Sequence, residues 1–225
     1  IPALYADRVR FDALKSFTPL CAVAVSPTVL VTGPSLKVKT LDAFLARARA
    51  EPGRLTYATP GTGSSGHFAT AQFLRQTGIQ MNHIPYKGAA QAVSDLMGGQ
   101  VDSSLATLGS VLPQIQSGKL TALAVAAPRR LAQLPQVPTF DEAGVPGYSA
   151  DAWYGLLAPA GLAQDVRAKL EQAAREFSRA DATAKSLDAL GMQPRQTCGD
   201  AFGAQLAHEV DTYRNLAGEL GLKAE

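Results

Sequence analysis

The feature that most constrains this chain is a beat between residues 22 and 126, where short β-branched apolar runs alternate with stretches of helical periodicity. A period of two followed by a period near 3.6, repeated in order, is the pattern of strand–helix units building a largely parallel sheet. Ala22–Val31, between Pro19 and Pro34, is the first run. Thr40 stands where a helix N-cap belongs, and Leu41, Phe44, Leu45 and Ala48 share one helical face before Glu51-Pro52-Gly53 stops it. Strands over 55–58, 81–85, 101–105 and 120–126 alternate with helices near 68, over 89–97 and over 111–116. An α/β fold with flanking helices is expected. Pro128–Pro146 carries four prolines and reads as a long connection with a short helical pattern at 139–143. Beyond a strand at Trp153–Leu157, the last third is mostly helical, with Val166, Leu170, Ala174 and Phe177 predicted on one face of a first helix and Phe202, Leu206, Val210 and Tyr213 on one face of the last.

Function classes narrow on charge and on scarce chemistry. Lys and Arg number 21 against 19 acidic residues, a formal charge of +2, which gives no reason to expect nucleic acid as a partner. A neutral or singly anionic small molecule fits better. No apolar run approaches the roughly 20 residues of a spanning helix, so a soluble chain is expected. Cys21 and Cys198 fix neither a metal site nor a compartment, and free thiols are the expected state, with pairing left open. His67, His83 and His208 are distant in sequence and show no ligand spacing, so neither a metal nor a cofactor is expected.

The most informative stretch is Thr59-Pro60-Gly61-Thr62-Gly63-Ser64-Ser65-Gly66-His67, between a strand and a helix start. Its glycines at 61, 63 and 66 allow a tight turn and a close approach to a ligand, and the hydroxyls of Thr62, Ser64 and Ser65, with the helix-start amides, suit an anion. A plain turn with an N-cap is the competing reading. The same residues match the G-x-G-x-x-G dinucleotide fingerprint, but no acid follows until Asp95, too late to hold a ribose. A dinucleotide-dependent enzyme is therefore the alternative and not the leading reading. Catalysis by Ser64 or Ser65 with His67 as base is disfavoured, because neighbours so close along a helix start seldom face each other. Tyr86 and Lys87, after a strand, and Trp153, at another strand, are further binding candidates; each has an equally good reading as packing or as an exposed side chain.

Pro2-Ala3-Leu4-Tyr5, Phe17-Thr18-Pro19-Leu20, the Gly61–His67 loop, Ile84-Pro85-Tyr86-Lys87-Gly88, Gly98-Gly99-Gln100-Val101-Asp102, Gly118–Val125 and Trp153–Gly161 together resemble the Bug family, receptors of tripartite tricarboxylate transporters. The resemblance runs over essentially the whole chain. It implies a periplasmic, non-enzymatic, two-lobed binding protein of the type II kind that passes a small carboxylate to membrane transporter subunits. Lobe 1 is expected over 1–33 and 124–225, lobe 2 over 34–123, with Ala22–Val31 and Leu120–Ala126 as the crossings. Carried over residue by residue, the grip consists of Thr62, Gly63, Ser64 and Ser65, with Ser26 at the crossing and Thr107 after the 101–105 strand. Many relatives carry an Asp before Thr107; Ala106 here points to a plain mono- or dicarboxylate over an amino acid. The resemblance also implies a segment ahead of Ile1 that completes lobe 1, and therefore weaker binding by this chain than by a complete receptor.

Overall fold

The computed structural model describes residues 9–219; the motif Pro2-Ala3-Leu4-Tyr5 lies outside them. The described chain divides into two compact units, Pro27–Ala152 and a second made of the residues up to Ser26 together with those from Trp153 onward. The strand β1 (Phe17–Thr32) belongs to both.

Within Pro27–Ala152 the elements follow the expected order: α1 (Leu41–Ala50), β2 (Thr56–Thr59), α2 (Ser65–Thr77), β3 (Asn82–Pro85), α3 (Ala89–Met97), β4 (Ser103–Thr107), α4 (Leu108–Gln116) and β5 (Thr121–Ala126). The strand order is β3-β2-β4-β1-β5. β2 pairs in parallel with β3 and β4, whereas β1 runs antiparallel to both β4 and β5. Four strands therefore share one direction and the crossing strand opposes them. Alternation along β1 explains the layers, since successive strand side chains leave opposite faces. Leu30 enters a core with Leu41 and Phe44 of α1 and Phe73 of α2, closed by Phe140 and Tyr148. Val29 and Val31 enter the other, with Val93 and Leu96 of α3 and Leu108 and Val111 of α4. Thr40 caps α1 as expected, its hydroxyl accepting from the Ala43 N–H at 3.2 Å.

Two boundaries differ from expectation. β5 does not leave the unit: it pairs with residues 28–32 of β1, and the segment after it supplies Phe140, Val145 and Tyr148 to the core. The division thus falls at 26/27 and 152/153 instead of 33/34 and 123/124. Thr139 bridges to Val125 and residues 140–144 form turns, not a helix.

The other unit contains the first part of β1 with β6 (Asp151–Pro159), α5 (Gln164–Arg179), α6 (Asp181–Ala189), β7 (Gln193–Cys198) and α7 (Asp200–Glu219). β6 and β7 both pair with β1, β7 antiparallel with Cys21 opposite Cys198. That register joins the two cysteines in a disulfide, which overturns the expected free thiols. Phe202 of α7 is fully buried against the edge of Trp153 and fills the space that a side chain at Gly155 would need. Of the face predicted on α5, only Ala174 is buried, beside the disulfide; Val166, Leu170 and Phe177 are 39%, 41% and 50% exposed. Helical period alone groups these residues on one side but does not say what covers it.

Candidate functional site

The Gly61–Gly66 loop sits at the C-terminal end of β2, where open α/β sheets place their ligands. Gly61 and Gly63 have φ of 142° and 78°, conformations that side-chain-bearing residues rarely adopt, which turns the chain sharply into α2. Ser64 is the N-cap; its hydroxyl accepts from the His67 N–H at 3.3 Å. With His67 capped, the amides of Ser65 and Gly66 are the remaining donors of the helix start.

The loop is tied to its neighbour. The Tyr86 and Gly88 N–H groups donate to Thr59 O and Pro60 O, each at 3.0 Å, which joins the turns after β2 and β3. After β4, Thr107 is the residue that precedes α4, and its hydroxyl donates to Ser110 Oγ at 3.3 Å.

These turns surround a cavity of about 40 Å³. Ser65 and Gly66 from α2, Ala89 from α3, Thr107 at the N-cap of α4 and Ser110 within it all line it. Three helix starts thus open on one space at the ends of three parallel strands. None of the lining residues is charged. At roughly 10–15 Å³ per water-sized group, the space takes about three, which is the size of one carboxylate. Helix starts offer partial positive charge and N–H donors to such a group. Ala106 lines the same cavity, so no acid opposes an anion there.

The sequence candidates divide. Ser65 and Thr107 reach the cavity. Ser64 acts through its cap, and Thr62 lies half-buried in the turn. Gly63 does not offer its N–H outward: it is buried and donates to His67 Nδ1 at 3.2 Å. Tyr86 is half-buried against the α3–α4 core, and its hydroxyl donates to Asp95 Oδ2 at 2.8 Å. Burial, then that hydrogen bond and the Asp95 charge, push the phenol up to about 12. It tethers β3 to α3 instead of facing the cavity. Lys87 is exposed and does not line it. Ser26 and Trp153 belong to the other unit. Ser26 is fully buried with its hydroxyl donating to Gly191 O at 3.5 Å, and the Trp153 indole N–H donates to Glu209 at 2.6 Å.

Sequence reasoning missed Ser110, one helical turn into α4, and the pairing of two histidines. The rings of His67 and His83 stack with their centroids 4.1 Å apart, and Tyr57 also stacks on His83, at 5.0 Å. Parallel pairing of β2 with β3, which sets Tyr57 beside His83, creates this column. Spacing in the chain gives no hint of it. The His67 ring accepts the Gly63 N–H at Nδ1, so it takes part in shaping the turn. Among the described residues no cluster of His, Cys, Asp or Glu suits a metal ion, and no helix is long and apolar enough to cross a membrane.

Known proteins share this architecture. BugT of Bordetella pertussis is 34% identical over 215 residues, which cover 96% of this chain and 66% of BugT; the chain thus spans slightly under two thirds of that relative's length. Rpa4515 of R. palustris, solved with adipate, superposes with a TM-score of 0.88 at 29% identity, covering 96% of this chain and 73% of that one. MatC of Rhodopseudomonas palustris, solved with bound malate, gives 0.83 at 27% identity over 95% of this chain and 74% of its own. The family model described as "Tripartite tricarboxylate transporter family receptor" matches residues 1–222, and with the fold and the Gly61–His67 turn it shows that this chain belongs to that family.

Proposed function

We propose that this protein is a periplasmic solute receptor that captures a small mono-, di- or tricarboxylate and presents it to the membrane subunits of a tripartite tricarboxylate-type transporter, without catalysing a reaction. The observation that carries this is the convergence of three helix starts and the hydroxyls of Ser65, Thr107 and Ser110 on an uncharged cavity of carboxylate size. Such a cradle favours an organic acid by dipoles and hydrogen bonds. Adipate in Rpa4515 and malate in MatC support the ligand class. The Cys21–Cys198 disulfide supports an oxidising compartment.

Ser65, Thr107, Ser110 and the Ser65 and Gly66 amides form the grip on one carboxylate. The Gly61–Ser64 turn, Thr62 included, shapes it. Ser26 and Trp153 from the other unit are proposed to act by packing.

Three charge-assisted hydrogen bonds contribute about 1.5–3 kcal/mol each. Association costs on the order of 4–15 kcal/mol, so this cradle alone holds its ligand weakly and further contacts set the final affinity. The test is calorimetry against malate, adipate, citrate and related acids, with NAD and ATP as controls. Heat and a raised melting temperature with carboxylates alone support the receptor; protection by a nucleotide and by no carboxylate overturns it.

A further inference from the structure

The column of rings beneath the Gly61–Ser65 turn is more than packing. His67 is 4% exposed, and its Nδ1 accepts the Gly63 N–H. An acceptor at Nδ1 requires a lone pair there, which places the imidazole in its neutral form with the proton on Nε2. The same residue's backbone N–H is donated to Ser64 Oγ, so the turn and the helix start hold each other from both sides, a relative of the capping box in which a histidine replaces Glu or Gln and the residue before the N-cap is the donor. His83 holds the other end: its Nε2 lies 2.7 Å from Thr59 Oγ1, which also accepts the Gly61 N–H at 3.3 Å. Each imidazole therefore fixes one glycine of the turn that leads into the cavity.

Resting on the receptor reading above, we propose that His67 is a positioning residue: its neutral ring holds the Gly61–Ser65 turn in the binding conformation, and protonation releases the turn and weakens ligand capture. The reason is geometric. A proton on Nδ1 sets an N–H against the Gly63 N–H, two donors face to face, and the Gly63 peptide must rotate away. That rotation carries the Ser64 cap and the Ser65 amide with it, because they are the next peptides in the chain. The titratable groups stacked in the column are His83 from β3 and Tyr57 from β2. Burial pushes the Tyr57 phenol up to about 12, so it stays neutral throughout the relevant range. His83, whose ring centroid lies 4.1 Å from that of His67, makes a second positive charge in the column unfavourable.

The experiment uses the 225-residue chain labelled with ¹⁵N, between about pH 8 and about pH 5, the span over which a free imidazole changes charge. Nitrogen shifts identifying the Nε2–H tautomer of His67, with a scalar coupling between Gly63 N and His67 Nδ1 at the alkaline end that vanishes at the acid end, are expected. Malate and adipate titrations run in parallel. Affinity should fall about two- to twelve-fold on acidification, the range for loss of one neutral hydrogen bond. His67→Asn, whose side-chain oxygen takes the place of Nδ1 without titrating, should rescue binding and flatten the pH profile. His67→Phe keeps a ring in the stack and should show the acid-form affinity at every pH. A His67 ring protonated at the alkaline end, or an unchanged pH profile in His67→Asn, overturns the proposal. If neither acid binds at any pH while the coupling and its loss are present, the positioning role stands and the receptor reading fails.

Discussion

Removing the Cys21–Cys198 bridge tests how the unit containing Trp153 is held together. The cysteines are 177 residues apart in sequence, and a coil of that length corresponds to about 5 kcal/mol of loop-closure entropy. That figure assumes that everything between them unfolds at once. Residues 27–152 form their own unit, and the Thr28 hydroxyl bonded to Ala150 O holds its two ends together. If that unit stays folded, the free coil shrinks to 22–26 and 153–197, about 50 residues, which corresponds to about 4 kcal/mol. Cys21→Ser/Cys198→Ser is the perturbation. Trp153 is the sole tryptophan and lies in the affected unit, so its fluorescence in urea reads that unit, while far-UV circular dichroism reads both. At a urea dependence of about 1–3 kcal/mol/M, the fluorescence midpoint should fall by roughly 1.3–5 M. Non-coincident transitions in the variant would select the shorter coil. A midpoint unmoved by the double substitution, or by reductant acting on the wild type, refutes the reasoning.

Other expectations follow from single contacts. Gly33→Ala sets a Cβ 2.3 Å from Leu96 O, backbone that has no flexible end to yield, and should destabilise Pro27–Ala152 by about 1–3 kcal/mol in urea denaturation. Gly66→Ala meets Leu105 O at 3.1 Å where the helix start lines the cavity; calorimetry should show weaker malate or adipate binding with a melting temperature close to wild type. Ala106→Asp puts a negative charge on the lining and should reduce affinity for a dicarboxylate more than tenfold at neutral pH, with partial recovery in acid as that carboxylate protonates. The phenols of Tyr57 and Tyr86 have folded values near 12 against an ordinary value of 10; both raised values mean stability fully present below pH 10 and lost as pH rises from there toward about 12, which alkaline unfolding followed by ultraviolet absorbance would show.

The order of elements was legible because the strand–helix units of Pro27–Ala152 carry their own signals, among them the Thr40 cap, the Gly98-Gly99 stop and the apolar run at 29–31. The boundary near 124 was not, since β5 reads as a buried strand wherever its partner lies, and only pairing with residues 28–32 assigns it. In the site, glycine and hydroxyl composition marked the loop after β2. The contribution of Ser110 and the stack of His67 on His83 depend on which strands lie side by side, a property of sheet order and not of spacing along the chain. Cys21 and Cys198 illustrate the same point, since two cysteines so far apart become partners only through the β1–β7 register. Apolar period on α5 groups Val166, Leu170, Ala174 and Phe177 on one face, yet only Ala174 is buried, because period reports grouping and not coverage.

An uncharged lining has a kinetic side. With no arginine or lysine on its walls, the cavity exerts little long-range pull on an approaching anion. Ligand arrival should then proceed at the unsteered pace, about 10⁵–10⁶ M⁻¹s⁻¹, with scarcely any response to added sodium chloride. Selectivity among acids would be decided after entry, by how long each stays.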